Sequence, residues 1–274
     1  MEDLRERIFN QVADHIVRAV ILTEDEGIIA GTGAVKEEAL KLGLSLEEII
    51  AEGGQVAKGD VIAKFSGRPK QIAMAEELLM GIMAKASGIA TAAQRATRMA
   101  GGRPKIVCGA WKKVPSVLKE MLRQAVILGG AAYSLSSGPF VYLDKNHIAM
   151  LGGITESLSA VRDLESHRKV VQLKGKSKEI VSEVEEAVAG GADIVFIDTG
   201  RPKDVETVMD KLVRLGVRER VEVAFAGGVK IEDIPRLKAL DVDYLCIGRE
   251  ILDAPLIDMK MEVINTDGAG GGRS

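Results

Sequence analysis

The sequence contains few of the residues that build disulfide frameworks, metal clusters or aromatic cores. Only two of its 274 residues are cysteines. Cys108 and Cys246 are too few for a disulfide framework and lack the spacing of metal ligands, so they favour a protein of a reducing compartment. Aromatic residues make up 3% of the chain. The core must therefore consist mainly of Ala, Val, Ile, Leu and ten Met.

The sequence also lacks a strong charge imbalance and a long apolar run. Its formal net charge is -3, which argues against a surface for nucleic acid or an anionic membrane. Charged residues interrupt the apolar stretches well before the ~18 residues needed to cross a bilayer. The N-terminus, MEDLRERIFNQ, is acidic and amphipathic, unlike a secretory signal peptide. We therefore expect a soluble cytoplasmic protein with neither a nucleic-acid partner nor a membrane partner.

Glycine, in contrast, is abundant at 30 residues, and much of it directly follows apolar runs. From about residue 104 onward, short β-branched runs alternate with amphipathic helical segments. The runs are PKIVCGA, GPFVYLD, RKVVQLK, ADIVFIDTG, VEVAFAGG and VDYLCIGRE. Such runs are typical of strands buried on both faces, and their alternation with helices indicates parallel strands. A closed barrel and an open doubly wound sheet both fit this pattern.

Residues 1–103 follow a different pattern, which predicts a small α+β domain. An opening helix leads to short strands in QVAKGDVIAKFSGRP, and a long helix follows from about Gln71 to Met99. Gly81 and Gly88 lie inside that helix, where glycine costs stability, so they indicate close packing or a break. The chain ends in GAGGGRS. We therefore predict an N-terminal domain over 1–103, an α/β barrel over 104–262 and a disordered tail over 263–274.

Glycines at the ends of the last two strands predict a phosphate site. Gly227 and Gly228 directly follow VEVAFA, and Gly248 follows VDYLCI one unit later, with REILDA as the next helix. Backbone N–H groups at such turns point into a concavity that suits phosphate. The alternative is that these glycines merely allow tight turns. Their placement on two consecutive strands matches the phosphate site of (β/α) barrels and favours the barrel over the open sheet.

Polar residues at the ends of other strands predict the rest of the site. Asp198 closes ADIVFID, where a carboxylate can hold Mg²⁺ or bind ribose hydroxyls; alternatively, it caps the helix after Arg201 and Pro202. Lysines at a phosphate-lined mouth would neutralise a diphosphate, while a histidine there can equally be structural. The residues that follow strands in this way are Lys112, Lys113, Asp144, Lys145, Asn146 and His147.

Together these pieces resemble quinolinate phosphoribosyltransferase, also called nicotinate-nucleotide pyrophosphorylase (carboxylating), over about residues 27–262. The matching motifs occur in family order: GIIAG at 27–31, EGGQVAKGDVIAKFSG at 52–67, SGIAT at 87–91, Lys112 three residues before Pro115, Gly129-Gly130, Asn146-His147, GADIVFID at 191–198, Gly227-Gly228 and IGREILDAPLIDM at 247–259.

The resemblance implies a fold and a reaction. The fold is an N-terminal α/β sandwich with a hammerhead-like region and an incomplete (β/α) barrel, whose phosphate site lies at the C-terminal face. The family acts as homodimers, or multiples of dimers, with active sites at the subunit boundary. Its reaction joins quinolinate to phosphoribosyl pyrophosphate with Mg²⁺, and decarboxylation then gives nicotinate mononucleotide.

The sequence departs from the family where guanidinium groups would hold the quinolinate carboxylates. Trp111 replaces the family's arginine beside Lys112, and Tyr133-Ser134 replaces a His-Arg pair. Such forks grip a small dicarboxylate bidentately. Trp111 and Tyr133 instead offer a flat surface that can stack on a ring, although Trp111 can equally pack at the barrel rim. The other departures are Glu76-Glu77 for Glu-Arg, Asp144-Lys145 for Lys-Asp, and Gln172 and Lys174 for two acids of a strand.

We therefore predict a phosphoribosyltransferase-type enzyme whose acceptor is not quinolinate. Lys112, Lys145 and Asp198 are the predicted catalytic residues, with Asp198 also holding Mg²⁺. The predicted substrate and phosphate contacts are Asn146, His147, Gly227, Gly228, Gly248, Trp111 and Tyr133. One alternative is a non-catalytic or differently catalytic binder of a phosphorylated metabolite. Another is true quinolinate activity, rescued by arginines from elsewhere such as Arg103, Arg123, Arg201 or Arg249, which requires compensation at several positions together.

Overall fold

The computed structural model describes residues 3–267. Up to residue 100 the elements are α1 (Leu4–Ile8), β1 (Ile16–Thr23), β2 (Gly27–Ile28), α2 (Thr32–Lys41), β3 (Ser45–Ile49), β4 (Gln55–Val56), β5 (Val61–Gly67) and α3 (Pro69–Ala100). Beyond it they are β6 (Lys105–Val107), α4 (Ser116–Leu128), β7 (Phe140–Leu143), α5 (Lys145–Leu151), α6 (Ile154–Ser159), β8 (Arg168–Leu173), α7 (Ile180–Ala189), β9 (Ile194–Asp198), α8 (Pro202–Arg214), β10 (Glu222–Ala226), α9 (Ile234–Leu237), β11 (Tyr244–Cys246), α10 (Arg249–Leu252) and β12 (Met259–Asp267).

The chain forms two compact units. Of the described residues, the first unit contains 3–92, 115–129 and 253–267, and the second contains 93–114 and 130–252. Strand β12 belongs to the first unit because it pairs antiparallel with β1, from Thr23 opposite Met259 to Ile16 opposite Asp267. The prediction of a disordered tail from residue 263 is therefore wrong for residues 263–267. The glycine-rich end of that tail, 268–274, lies outside the described residues.

The first unit has an antiparallel sheet in the order β12-β1-β5-β3. One face of this sheet and the apolar stripe of α3 enclose a common core. Its largest members include Ile21 of β1, Phe65 of β5, and Leu79 and Met83 of α3, each 1% exposed or less. Burying side chains of this size stabilises the fold by roughly 1.5–3 kcal/mol each. The N-terminal α/β sandwich is thus confirmed.

The SGIAT motif has a structural role within the first unit. Ser87 and Thr91 lie one turn apart on α3, so their hydroxyls share a face of the helix. Ser87 Oγ accepts from the backbone N–H of Ala30 at 2.9 Å, and Thr91 Oγ1 accepts from that of Ile28 at 3.0 Å. A Cβ on Gly27 would lie 2.5 Å from Thr91 Oγ1. The SGIAT motif therefore joins the GIIAG segment to α3 through two hydrogen bonds from backbone N–H groups to side-chain hydroxyls.

The second unit has a parallel sheet in the order β6-β11-β10-β9-β8-β7, which confirms the strand direction expected from the sequence. Side chains from one face of its strands form a shared core with Leu135 of the segment before β7. The strand residues are Val107, Val170, Ile194, Ala224, Ala226, Tyr244 and Cys246, with Tyr142 and Phe196 packed against them. The Tyr142 and Phe196 rings meet edge to face, with their centroids 5.5 Å apart. Alternate residues of each strand thus line one interior.

The parallel sheet closes towards a barrel. Strands β6 and β7 lie at opposite edges of the hydrogen-bonded order, yet Lys112, after β6, forms an ion pair with Asp144, which follows β7. Such a contact requires the two edges to curl towards each other. Ala132 adds a single parallel bridge to Val107 of β6. The second unit is therefore the incomplete (β/α) barrel expected from the sequence.

At the N-terminal end of the barrel strands, a polar network closes the interior. Glu222 Oε2 accepts from Arg168 at 2.6 Å and from the hydroxyl of Tyr244 at 3.0 Å. These residues begin β10, β8 and β11, respectively.

No helix within residues 3–267 combines the length and apolar composition needed to cross a membrane.

Gly88 and Gly81 on α3 provide a matched test of close packing. A Cβ at position 88 would lie 1.9 Å from the carbonyl oxygen of Pro255, whereas one at exposed position 81 meets nothing within 4 Å. We expect Gly88→Ala to lower the free energy of unfolding by about 2–3 kcal/mol through overpacking. Gly81→Ala should raise it by up to roughly 1 kcal/mol, because alanine favours helix. Urea denaturation of both variants checks this; equal effects would contradict the packing account.

Candidate functional site

The predicted site residues of the barrel gather at one end. All of them lie in the turns or first helical residues after the parallel strands: Trp111 and Lys112 after β6, Lys145, Asn146 and His147 after β7, Gly227 and Gly228 after β10, and Gly248 after β11, while Asp198 is the last residue of β9. The carboxyl ends of parallel strands meet at one edge of the sheet, so these residues share a single mouth. Tyr133 also joins this group through its backbone, as shown below.

Asp144 organises the part of the mouth after β7. It is 5% exposed and caps α5, since its Oδ1 accepts from the backbone N–H of Asn146 at 2.9 Å and of His147 at 3.1 Å. His147 Nδ1 lies 2.8 Å from the same oxygen, and the Lys112 ammonium donates to Oδ2. Burial opposes ionisation, but the hydrogen bonds from Lys112 and His147 hold the pKa of Asp144 well below its ordinary value. Asp144 is therefore a carboxylate at neutral pH.

Asp198 is held by two side chains of β8 and the turn after it. Its Oδ2 accepts from Gln172 Nε2 at 2.7 Å and from Lys174 Nζ at 3.0 Å, and Lys174 also donates to its backbone carbonyl. Gln172 Oε1 in turn accepts from the backbone N–H of Lys145 at 2.7 Å. The N-cap of α8 is Arg201. Asp198 therefore faces the mouth, as expected, and does not cap that helix.

The position of Lys174 depends on a buried carboxylate. Glu183, 6% exposed in the first turn of α7, accepts from the backbone N–H groups of Lys174 and Gly175 at 2.8 Å each. This contact ties the turn after β8 to the helix that follows. The predicted site residues do not include Gln172, Lys174 or Glu183. The sequence marked Gln172 and Lys174 only as departures from the family pattern, and periodicity placed Glu183 on an ordinary helix.

The glycines of the predicted phosphate site have different physical reasons. Gly227, at φ 109°, packs against the turn after Asp198, where its Cβ would lie 2.3 Å from the nitrogen of Gly200. Gly248 packs against the turn after β6, with its Cβ 2.8 Å from that of Ala110. Gly228, at φ 81°, meets nothing within 4 Å and is exposed. Tight packing thus accounts for Gly227 and Gly248, and the positive φ accounts for Gly228, whose turn borders open space.

The two glycine turns are joined by Glu250 of α10. Its Oε2 accepts from the backbone N–H of Ile231 at 2.6 Å, so the segment that follows Gly228 is bonded to the helix that follows Gly248. Gly227 in turn lies against the residues directly after Asp198. The structure therefore brings the glycine turns and Asp198 together at the mouth.

Trp111 holds the rim of the barrel. Its Nε1 donates to the carbonyl oxygens of Cys108 at 2.8 Å and Tyr133 at 3.0 Å. This double contact supports the packing interpretation of Trp111, because its polar atom ties two segments of the fold together. Tyr133 is 43% exposed. Stacking of either ring on a substrate stays a prediction.

No thiol at the mouth is ionised at neutral pH. Burial raises the pKa of Cys108 to about 12, and burial together with the nearby Asp198 raises that of Cys246. Burial and the Asp198 carboxylate likewise raise the pKa of Tyr142. The thiols are therefore poor nucleophiles, and the charged groups of the mouth are its lysines and carboxylates.

The side chains around Asp198 do not fit a Mg²⁺ ion held by the protein. Mg²⁺ binds carboxylate and water oxygens in a strict octahedral geometry. Asp198 Oδ2 is already shared by an ammonium and an amide, and Asp144 is bound by Lys112 and His147. Across residues 3–267, no three or more His, Cys, Asp and Glu side chains are grouped so that they could hold a metal. The Mg²⁺ expectation remains untested, and these contacts do not favour it.

Two family models match the chain consecutively. The N-terminal domain of quinolinate phosphoribosyl transferase matches residues 4–87, and its C-terminal domain matches residues 89–262. A probable nicotinate-nucleotide pyrophosphorylase [carboxylating] of Archaeoglobus fulgidus is 31% identical over 255 residues, which cover 90% of this chain and 95% of that protein. The corresponding protein of Methanothermobacter thermautotrophicus is 29% identical over 252 residues, covering 90% and 88%.

Solved structures share the fold. NadC from Streptococcus pyogenes superimposes with a TM-score of 0.81 at 19% identity, covering 97% of this chain and 91% of that one. Nicotinate-nucleotide pyrophosphorylase from Pyrococcus furiosus gives 0.82 at 20% identity, covering 96% and 73%. At these identities the likeness concerns the fold alone. The two matching domain models and the 31% identical relative decide membership: this chain belongs to the quinolinate phosphoribosyl transferase family.

Proposed function

We propose that the protein transfers a phosphoribosyl group from phosphoribosyl pyrophosphate to a ring acceptor that is less acidic than quinolinate. The observation that carries this proposal is the joining of Lys112, Lys174 and the open turn at Gly228 in one mouth, with Trp111 rather than an arginine preceding Lys112. Membership of the family supports phosphoribosyl transfer as the reaction class. The homodimer expected from the family stays a prediction.

At the donor end, the chemistry needs little covalent help from the protein. The bond from the anomeric carbon to the pyrophosphate oxygen breaks while the bond to the acceptor forms, and pyrophosphate leaves with the electron pair. Catalysis then depends on positioning and on neutralising the leaving group. Lys112 is 76% exposed, so its ammonium can donate to the ligand while Asp144 orients it. Lys145 begins α5 at the same mouth.

At the acceptor end, the positions where the family carries its guanidinium forks hold other residues. Trp111 stands where the family has an arginine, and Tyr133-Ser134 stands where it has a His-Arg pair. Of the arginines considered as substitutes, Arg103 is engaged elsewhere: its NH2 lies 3.2 Å from Asp243, which precedes β11 at the opposite end of the strands. Arg201 pairs with Asp204 through its Nε, at 2.8 Å, while its NH2 lies beside the turn at Gly175. A less acidic acceptor fits these residues better than quinolinate.

A second candidate function is the binding of a phosphorylated metabolite without transfer. The contact between Lys174 and Asp198 favours it, because Asp198, a predicted catalytic residue, is already engaged within the protein. Such a protein would hold ribose 5-phosphate as well as phosphoribosyl pyrophosphate. Turnover with a ring acceptor distinguishes the two candidates.

Thermal unfolding with added ligands tests the proposed function. We expect phosphoribosyl pyrophosphate to raise Tm by several degrees and quinolinate to leave it unchanged, because a ligand at ~100 times its Kd adds roughly 2.7 kcal/mol. Ribose 5-phosphate serves as the parallel ligand, and each is measured with Mg²⁺ and with EDTA. A shift with quinolinate would contradict the proposed acceptor class. The absence of a shift with every phosphorylated ligand would contradict the phosphate site.

Lys112→Ala tests the donor end of the site. We expect the Kd for phosphoribosyl pyrophosphate to rise roughly 10- to 100-fold, since a charged hydrogen bond contributes about 1.5–3 kcal/mol. Isothermal titration calorimetry measures this change. Lys119→Ala, on α4, is the matched control and should bind as the unmodified protein does. Equal affinities in the two variants would remove Lys112 from the site.

Asp144→Asn tests the depressed pKa of Asp144. Asparagine keeps the N-cap of α5 but loses the charge that faces Lys112 and His147. We expect the variant to be about 1 kcal/mol less stable at pH 7, a modest loss because both partners are well exposed and their charges are screened. A carboxyl group whose pKa is depressed in the folded state stabilises the fold at pH values above its ordinary pKa, about 4. This contribution is lost as the pH falls through the folded-state pKa. The difference in Tm should therefore be constant above pH 5 and shrink below pH 4; a constant difference would contradict the assignment.

A further inference from the structure

We propose that Lys174 is a built-in cation of the mouth, which takes the place of a divalent metal, so that the protein binds its phosphate-bearing ligand without Mg²⁺. This inference rests on the proposed function and specifies how its site is charged. It starts from the disagreement between the Mg²⁺ expected at Asp198 and the side chains that surround that residue.

The contacts of Lys174 leave it able to bind an anion. Its ammonium lies 3.0 Å from Asp198 Oδ2 and also donates to the Asp198 carbonyl oxygen. An ammonium has three donors, so one remains for an oxygen of a ligand. The side chain is 23% exposed, which keeps it in reach of solvent while holding it in one place. Lys174 therefore resembles a fixed positive charge rather than a mobile surface lysine.

The fold holds this charge in position. Glu183 accepts from the backbone N–H groups of both Lys174 and Gly175, and a Cβ on Gly175, at φ 56°, would lie 3.4 Å from that of Ile180. The turn is thus bonded and packed to α7 directly below the ammonium. By contrast, Lys176, two residues further on, is exposed. The chain therefore contains a matched control for Lys174.

The same contacts disfavour a cation on Asp198 Oδ2. A metal ion on Asp198 Oδ2 would lie close to the Lys174 ammonium, and like charges at such separations repel strongly in a partly buried site. Gln172 also directs its amide N–H at that oxygen. The ammonium thus supplies the positive charge, and the carboxylate serves to orient it.

Ribose 5-phosphate is the probe for this inference, because its phosphate monoester binds Mg²⁺ weakly compared with a diphosphate. Isothermal titration calorimetry in EDTA and in Mg²⁺ should give Kd values within about threefold of each other. Lys174→Met should raise the Kd in EDTA at least tenfold, and Lys176→Met should leave it unchanged.

Lys174→Glu should convert the site to a carboxylate pair with Asp198. We expect that variant to bind Mn²⁺, detected by electron paramagnetic resonance, where the unmodified protein does not.

The outcomes separate this inference from the proposed function. Binding of ribose 5-phosphate only in Mg²⁺ would overturn the inference and leave the proposed function standing. If neither ribose 5-phosphate nor phosphoribosyl pyrophosphate binds under either condition, the proposed function itself fails.

A double variant distinguishes a ligand-binding role of Lys174 from a purely structural one. Lys174→Met with Asp198→Asn removes both charges, so no unpaired carboxylate is left to disturb the fold. Thermal melts should show it folded, and its affinity for ribose 5-phosphate in EDTA should remain at least tenfold reduced. If the double variant binds as tightly as the unmodified protein, Lys174 is only a partner of Asp198 and the inference is wrong.

Discussion

The barrel depends on the closure of its sheet at the mouth, where the turn after β6 meets the residue after β7. No backbone ladder joins these two strands, which are the edges of the hydrogen-bonded order. Side chains make the connection: Lys112 to Asp144, and Trp111 Nε1 to the carbonyl of Tyr133. Asp144 also caps α5 and orients His147. One buried carboxylate therefore both closes the barrel and places the groups that face a ligand.

The pairing of Asp144 within the fold also bears on which charged groups of the mouth remain available. Each carboxylate is matched within the fold, Asp144 by Lys112 and Asp198 by Lys174. An ammonium keeps donors after one ion pair is made, whereas a carboxylate bound by several donors has little capacity left. The lysines can thus face an anion while the carboxylates are already satisfied. The mouth therefore carries ammonium groups with unused donors although the chain as a whole is acidic.

Local patterns in the sequence were sufficient for much of the fold. Apolar runs alternating with helical segments predicted the parallel strands, and the long helix expected from Gln71 to Met99 extends over Pro69–Ala100. Gly88 marks close packing, but Gly81 does not, because only the tertiary neighbours of each position decide this. The pairing of β12 with β1 was missed for the same reason, since it joins residues about 240 positions apart. Local periodicity carries no record of such a partner.

The candidate site shows the same division. Residues that end strands were predicted, because strand ends are visible in the sequence and parallel strands share a mouth. The roles of Gln172, Lys174 and Glu183 were not, since each depends on a side-chain contact between separate elements. The three glycines looked alike in the sequence, yet Gly227 and Gly248 are required by neighbouring backbone and only Gly228 faces open space.

Together with Lys174, the departures from the family pattern amount to one redistribution of positive charge within the site. Trp111 and Ser134 stand at the positions of two family arginines and so remove positive charge from the end of the site that would hold an acidic ring. Lys174 adds positive charge beside Asp198, at the end that would hold the phosphoribosyl group. A site altered in only one of these ways would be mismatched to the total charge of its two ligands. Altered in both, it suits an acceptor with fewer carboxylates and a donor that arrives without a protein-bound metal, and the two proposals therefore support each other through charge balance.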